Sequence, residues 1–443
     1  MSDFAAALQS LRPRALGLLA DNGPDWVAVD LAAEAAGIPL VPLPTFFTPA
    51  QLAHAAAATG MDALYCTSES AARALGFHRK NDLPWYSREA PPVRLPRGTA
   101  KVSFTSGTTG TPKGVCLSAA GQREVARALA EATHRLGIER HLCLLPLAVL
   151  LENVAGIYAP LAAGAQWIAP PLAEVGMSGA AGFDPRACLA AIERYEAQSA
   201  ILLPQMLLSL TNLLAAGVPT PRSLRFVAVG GARVSPALIQ RARGLELPVY
   251  EGYGLTECAS VVALNTPEAD RPGSVGRPLP HLGVKIAADG EIVVSGSGFL
   301  GYVGEPFAEG DLRTGDLGRL DDEGFLHVEG RRKHLLITSF GRNVAPEWPE
   351  AELLAGGALA QAAVFGEGRP QLCAVLVPAP AASDAAVAAQ VGAANARLPD
   401  YARIAQWVRA ESPFAPQNGL ATANGRVHRD AVWALYRERF DAL

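Results

Sequence analysis

Between residues 101 and 251, short apolar runs alternate with segments that open on helix-capping residues. That alternation implies parallel βαβ units. Residues 101–105 read as a strand, followed by a Gly/Ser/Thr loop. A helix is predicted over 119–135, with Ser118 as its N-cap and Gly137 as its stop. Residues 142–145 read as a buried strand, and Asp184-Pro185 is the N-cap and N1 pair of a helix running towards Glu196. Residues 200–203 and 225–229 read as strands, the second ending in Gly230-Gly231. Ser235-Pro236 opens the next helix, and 248–251 is a further short strand. From about residue 273 to 328 the pattern changes to short strands with Gly turns, as at Glu291–Ser295 and 325–329, which suggests a β subdomain. After Lys333 a smaller α/β segment begins.

A chain of 443 residues exceeds one ordinary core, so two or three domains are expected. The net charge of -4, with no basic run and no aromatic-basic stripe, gives no support for nucleic-acid binding. The six cysteines, Cys66, Cys116, Cys143, Cys188, Cys258 and Cys373, form no C-x-x-C pair, so neither a disulfide framework nor a zinc cluster is indicated. A reducing, cytoplasmic setting is the simplest expectation. The N-terminus has Asp3 and no basic region ahead of an apolar run, unlike a signal peptide. The most apolar stretch, 142–165, is interrupted by Pro146, Glu152, Asn153 and Pro160, and reads as buried core rather than a transmembrane segment.

The chemical signal is strongest in Thr105-Ser106-Gly107-Thr108-Thr109-Gly110-Thr111-Pro112-Lys113-Gly114, directly after a strand. Glycines let backbone N–H groups turn inward to cradle phosphate oxygens, the hydroxyls add donors, and Lys113 adds a point charge. It is not a Walker A loop, because Pro112 and Gly114 stand where Gly and Ser/Thr are needed. On composition alone, a flexible surface loop fits equally well.

The loop resembles the phosphate loop of the adenylate-forming superfamily of acyl-CoA synthetases, aryl-acid ligases, luciferases and peptide-synthetase adenylation domains. Further matches follow in order. Tyr253-Gly254-Leu255-Thr256-Glu257 is similar to the second signature and Arg313-Thr314-Gly315-Asp316 to the third. Gly330-Arg331-Arg332-Lys333, continuing through Gly341-Arg342-Asn343-Val344-Ala345-Pro346, resembles the inter-domain hinge and the loop after it. The resemblance extends over 22–47 and 418–429, essentially the whole chain.

The resemblance implies an α/β fold: a large N-terminal domain of βαβ layers plus a β subdomain over residues 1–332, and a small mobile α+β C-terminal domain over 333–443. It implies ATP, Mg²⁺ and CoA, or the phosphopantetheine of a carrier protein. Thr105, Ser106, Gly107, Thr108, Thr109, Gly110 and Lys113 would hold phosphates. Thr256 would hold the α-phosphate and Glu257 would ligate Mg²⁺. Tyr253 would pack on adenine, and Gly231 and Ala232 would let a flat ring approach the backbone. Asp316 would accept the ribose hydroxyls, Arg331 would brace the ribose, and Lys333 would be the hinge. Taken singly, most of these fit turn residues or surface charges; their joint occurrence in order carries the reading.

Gly296-Ser297-Gly298-Phe299-Leu300-Gly301 matches G-x-G-x-x-G, but Gly304, Pro306, Gly310 and Gly315 deny the helix that a dinucleotide fold requires there. Two departures from the family pattern stand out. Thr422-Ala423-Asn424-Gly425-Arg426 puts Arg426 where the family has its late catalytic Lys, a planar fork in place of a compact ammonium. Val149 stands where long-chain fatty-acid activators usually carry His. The segments most like fatty-acid activators are 42–47, 337–339 and 413–420. Three functions follow: an acyl-CoA synthetase of fatty-acid metabolism, favoured; an acyl-AMP ligase loading an acyl carrier protein; or a catalytically weak nucleotide-binding homologue, suggested by Arg426.

Overall fold

The computed structural model describes residues 2–80, 84–105, 112–179, 182–305, 310–380, 382–422 and 426–441. Two large sheets form most of the chain. One has eight strands, in the order Phe299–Tyr302, Lys113–Ser118, Thr99–Thr105, Leu40–Pro42, Leu16–Leu19, Ala63–Cys66, Trp85–Ser87 and His78–Arg79. Its centre is parallel and both flanks are antiparallel. The other has seven strands, with Gln166–Ile168, Arg140–Leu142, Ser199–Leu202, Phe226–Val229 and Val249–Tyr253 running parallel. Two short antiparallel strands, Ala263–Leu264 and Arg277–Pro278, extend it.

The parallel strands are near-continuous apolar runs, as Ser-Ala-Ile-Leu and Phe-Val-Ala-Val show, because helices cover them. One core is shared by both sheets and the helices Pro24–Ala35 and Ala119–Thr133, and includes Leu18, Trp26, Leu117, Val125, Cys143 and Phe226. The helix starts follow the capping residues. Ser118 Oγ accepts from Gly121 N at 3.0 Å, and Asp184 accepts from Arg186 N at 2.9 Å. Helix Ala119–Thr133 passes into a 3₁₀ turn and stops at Gly137, whose φ of 57° is left-handed.

The strand predicted over 142–145 lies instead at Arg140–Leu142. The chain beyond it becomes a buried loop held by side chains, and a run of leucines does not distinguish loop from strand when both are buried. Lys113 and Gly114, read as the end of a loop, begin the strand Lys113–Ser118, which pairs antiparallel with Thr99–Thr105. Thr99–Thr105 and Lys113–Ser118 are therefore the two arms of the hairpin that carries the expected phosphate motif.

The β subdomain is a four-stranded antiparallel sheet, Gly283–Ile286, Glu291–Ser295, Leu312–Leu320 and Leu326–Arg331. Beyond it, Leu359–Phe365, Leu372–Pro378 and Ile404–Arg409 form a three-stranded sheet with helices Glu347–Leu353, Asp384–Arg397 and Arg429–Asp441. This C-terminal unit has two cores of its own, one around Leu353, Val364 and Leu376 and one around Phe365, Val375 and Tyr436. No helix among the described residues is long and apolar enough to cross a membrane.

Candidate active site

Asp316 lies at the centre of the site. It sits on Leu312–Leu320, directly opposite Arg331 on Leu326–Arg331. Arg331 Nε lies 2.8 Å from Asp316 Oδ1, and the Tyr253 hydroxyl donates to Oδ2 at 2.6 Å. The Arg-Thr-Gly-Asp sequence builds this geometry locally. Thr314 Oγ1 donates to Ile292 O at 2.8 Å and accepts from Asp316 N at 3.1 Å. Gly315 takes the left-handed region at φ 74°, and its N–H donates to Glu291 Oε1 at 2.8 Å. Arg313 is held outside by Glu291, its Nε 2.9 Å from Oε2. Arg332 turns the same way as Arg313, to Asp289 at 2.9 Å, while Arg331 turns inward. Burial pushes the Asp316 carboxyl up, and the Arg331 charge and the Tyr253 hydroxyl oppose it.

Glu257 lies in the short 3₁₀ turn Thr256–Cys258, after the strand that ends at Tyr253. Gly254 is obligatory there, because a Cβ would meet the Ser260 carbonyl oxygen at 1.7 Å. Glu257 Oε1 accepts from the Tyr302 hydroxyl at 2.8 Å. Tyr302 belongs to Phe299–Tyr302, the strand that pairs with the second arm of the phosphate hairpin. Lys113, on that arm, lies 5.0 Å from the Tyr302 ring centroid, and its Nζ is 2.9 Å from Glu305 Oε1. Tyr302 thus touches both the proposed metal ligand and the phosphate lysine. Sequence reasoning missed it; its signal was an aromatic at the end of the G-x-G-x-x-G segment, which forms a strand here. Thr105 pairs with Lys113 at the hairpin neck. Ser106, Gly107, Thr108, Thr109 and Gly110 lie outside the described residues.

Gly231 and Ala232 follow Phe226–Val229 and are both exposed, with Gly231 at φ 88°. The turn leaves backbone open beside the strand that carries Tyr253. Thr256 precedes Glu257 in the same turn and is half-buried.

The C-terminal unit contributes Arg426. Ala421 and Val427 form an isolated bridge, and Thr422 Oγ1 accepts from Arg426 N at 3.1 Å. The residue is exposed, yet desolvation by the surrounding protein lowers the pKa of its guanidinium, as does the Arg331 charge. The charges of Asp316 and Glu257 pull the other way. Lys333 follows Arg331 in the 3₁₀ turn Arg332–His334. Burial lowers its pKa, Arg331 and Arg426 add to the effect, and Asp316 and Glu347 oppose it. His334 Nδ1 is bonded to Glu347 of the next helix, so the segment after Lys333 is fixed to the C-terminal unit.

Two buried polar groups outside the motifs hold the loop around Val149. The Asn22 side chain donates to Leu145 O at 2.9 Å and accepts from Leu147 N at 2.8 Å. Glu152 Oε2 accepts from Leu145 N at 3.1 Å, and His141 bridges Glu152 Oε1 at 3.3 Å and Ser199 Oγ at 2.9 Å. His141, Cys143 and Glu152 bring possible metal-ligand atoms within 4.8 Å of one another. These hydrogen bonds already occupy both ring nitrogens and both Glu152 oxygens, so the cluster reads as a buried polar brace. Gly156 makes room for it; a Cβ there would meet Glu152 Oε1 at 2.3 Å.

Comparison with known proteins bears on this arrangement. The family model for AMP-binding enzymes matches residues 1–303, and that for the AMP-binding enzyme C-terminal domain matches 333–443. The chain is 39% identical over 165 residues to the long-chain-fatty-acid–CoA ligase FadD15 of Mycobacterium bovis, covering 36% of this chain and 28% of that protein. It is 32% identical over 294 residues to the 2-succinylbenzoate–CoA ligase of Bacillus velezensis, covering 62% and 57%. Both alignments span less than two thirds of the relative's length. Among solved structures, the o-succinylbenzoate CoA synthetase of Bacillus subtilis in complex with ATP and magnesium ion superposes with a TM-score of 0.73 at 25% identity, over 96% of this chain and 90% of that one.

Proposed function

This chain belongs to the AMP-binding enzyme family, and we propose that it activates a carboxylic acid with ATP and passes the acyl group to a thiol. The observation that carries this reading is the Asp316 carboxylate held between the Tyr253 hydroxyl and the Arg331 guanidinium, which brings three separate motifs into contact.

The substrate carboxylate attacks the α-phosphorus; an O–P bond forms, the bond to the bridging oxygen breaks, and pyrophosphate leaves. The resulting acyl-AMP is then attacked at its carbonyl by the thiol, forming the thioester and releasing AMP. The protein's part in the first step is positioning and charge stabilisation. Asp316 presents an oxygen on each side of its carboxyl, suited to a ribose diol, with Arg331 and Tyr253 fixing its plane. Lys113 meets phosphate oxygens at the hairpin, and Arg426 offers a second positive charge from the opposite side. Thr256 adds a hydroxyl towards the α-phosphate. Glu257 fits Mg²⁺: it is a hard oxygen donor beside the phosphate hairpin, and Mg²⁺ takes one or two carboxylates with water and phosphate filling its remaining positions. When bound, the ion neutralises charge building on the phosphates.

For the acid, the reading is a fatty acid. Its support is the likeness to FadD15; Val149, in the loop braced by Asn22 and Glu152, is a departure from that pattern. The 2-succinylbenzoate ligase relatives make an aryl acid the second reading. The acceptor is taken to be CoA, as in the names of both relatives.

The test is pyrophosphate release with ATP-Mg²⁺ across fatty and aromatic acids, with and without CoA. Release that depends on fatty acids and rises with CoA is expected. Acid-dependent release indifferent to CoA would point to a carrier-protein thiol. No release with any acid would sink the reading and favour a nucleotide-binding homologue.

A further inference from the structure

Arg426 is carried by the C-terminal unit, and the docking of that unit runs through a small set of contacts. Arg233 is their hub. It follows Gly231-Ala232, and its Nη1 donates to Val328 O at 3.1 Å and Glu329 O at 3.0 Å, on the strand that ends in Arg331. Its guanidinium lies 5.9 Å from the ring centroid of Trp348, on the first helix of the C-terminal unit. Burial lowers the pKa of its guanidinium, and Glu251, Glu352, Glu347 and Glu329 oppose that shift. Two residues on, Ser235 Oγ donates to Glu352 Oε1 at 3.0 Å, across the junction. Glu352 is nearly buried, and its other oxygen accepts from Arg397 Nε at 2.5 Å. Ala355 completes the seam by entering the apolar core that surrounds Leu207 and Leu238.

We propose that Arg233 is a positioning residue that, with the Ser235–Glu352 hydrogen bond, sets where the C-terminal unit docks and so where Arg426 stands relative to Asp316 and Glu257. One side chain ties together the exposed Gly231-Ala232 turn, the backbone leading to Arg331 and the helix that carries the C-terminal unit. This inference rests on the proposed adenylation chemistry for its kinetic test, and on geometry alone for its physical test.

Arg233→Met keeps length and apolar bulk but removes charge and donors; Ser235→Ala removes one hydroxyl and guards against a folding failure in the first variant. Three readouts apply to the full chain: single-turnover pyrophosphate release, thioester formation from presynthesised acyl-AMP, and hydrogen exchange of helix Glu347–Leu353. Arg233→Met is expected to slow pyrophosphate release at least about tenfold, and Ser235→Ala by about threefold, with thioester formation little changed. In an Arg426→Ala background neither change should add a further loss, because a group acting through Arg426 has nothing left to position. Losses that multiply with that of Arg426→Ala, or that fall equally on both half-reactions, would overturn the proposal. Should the native chain activate no acid, the functional reading fails and exchange alone decides. Faster exchange in helix Glu347–Leu353 of Arg233→Met, with the strands of both units unchanged, supports the docking role; unchanged exchange there refutes it.

Discussion

Tyr302 and Glu257, distant in sequence, are joined by a 2.8 Å hydrogen bond in which the phenol donates to the carboxylate. The same phenol ring lies against Lys113. The proposed metal ligand and the proposed phosphate lysine are thereby oriented by one side chain. Burial and the Glu257 charge raise the Tyr302 pKa, so the hydroxyl keeps its proton and remains a donor at neutral pH. Tyr302→Phe deletes only that donor. The expected result is a Mg²⁺ requirement for ATP binding raised about fivefold, equivalent to ~1 kcal/mol. Calorimetric titration of ATP at several Mg²⁺ concentrations measures it; an unchanged requirement would remove Tyr302 from the site.

Asp316 is paired with Arg331 and Tyr253, so its loss strips both the proposed ribose acceptor and the partner of a half-buried guanidinium. Asp316→Ala should weaken ATP binding by at least about 100-fold, or ~3 kcal/mol. Asp316→Asn, which keeps the shape, should bind ATP better than Ala but worse than the native chain. Undiminished affinity in the Ala variant would refute the ribose role.

Arg426 is proposed to act at the nucleotide site from the C-terminal unit, and the charges of Arg331, Asp316 and Glu257 all act on its guanidinium. Arg426→Lys retains the charge in a more compact head and should keep or raise the rate of acyl-AMP formation, while Arg426→Ala should lower it about 100-fold. Pyrophosphate release without thiol reads both. Abolition by Lys would mean that the planar fork itself is required.

Glu251 is buried on the strand leading to Tyr253, and burial pushes its pKa up to about 8, against the opposing Arg233 charge and the Val234 N–H. The folded chain therefore holds this proton more tightly than the unfolded chain, where a Glu titrates near ~4.3. The stability so gained is complete below that lower value and is lost as pH rises through about 8. Glu251→Gln cannot ionise and should lose less stability between about pH 5 and 8, by at most ~1.4 kcal/mol per pH unit. Thermal melts across that range compare the slopes; equal slopes would show that Glu251 is already ionised in the fold.

The order of the motifs and the alternation of strands and helices were legible because each depends on neighbours in sequence. Asp184, Ser118 and Ser235 cap the helices that their positions announce. What stayed hidden depends on partners far along the chain. Lys113–Ser118 carries Gly114 at its start and looks like loop until Phe299–Tyr302 and Thr99–Thr105 flank it. Gly114 suits that place, since a Cβ would meet Val303 and Val102 side chains at 2.8 and 3.0 Å. Tyr302, Asn22 and Arg233 belong to no motif and gain meaning only from the carboxylate, loop or helix each one touches. For Tyr253 the motif gave the position, and the fold adds the hydrogen bond to Asp316.

The pairing of Phe299–Tyr302 with Lys113–Ser118 has a consequence for how the chain is made. The first large sheet lacks its last strand until residues 299–302 have been synthesised, well after the strand they pair with. Until then Lys113–Ser118 is an open edge, and its buried Val115, Cys116 and Leu117 stand next to unpaired backbone. A nascent chain arrested before that point carries an adhesive border, so the hairpin that ends at Ser118 is also where premature truncation would leave the product prone to aggregate.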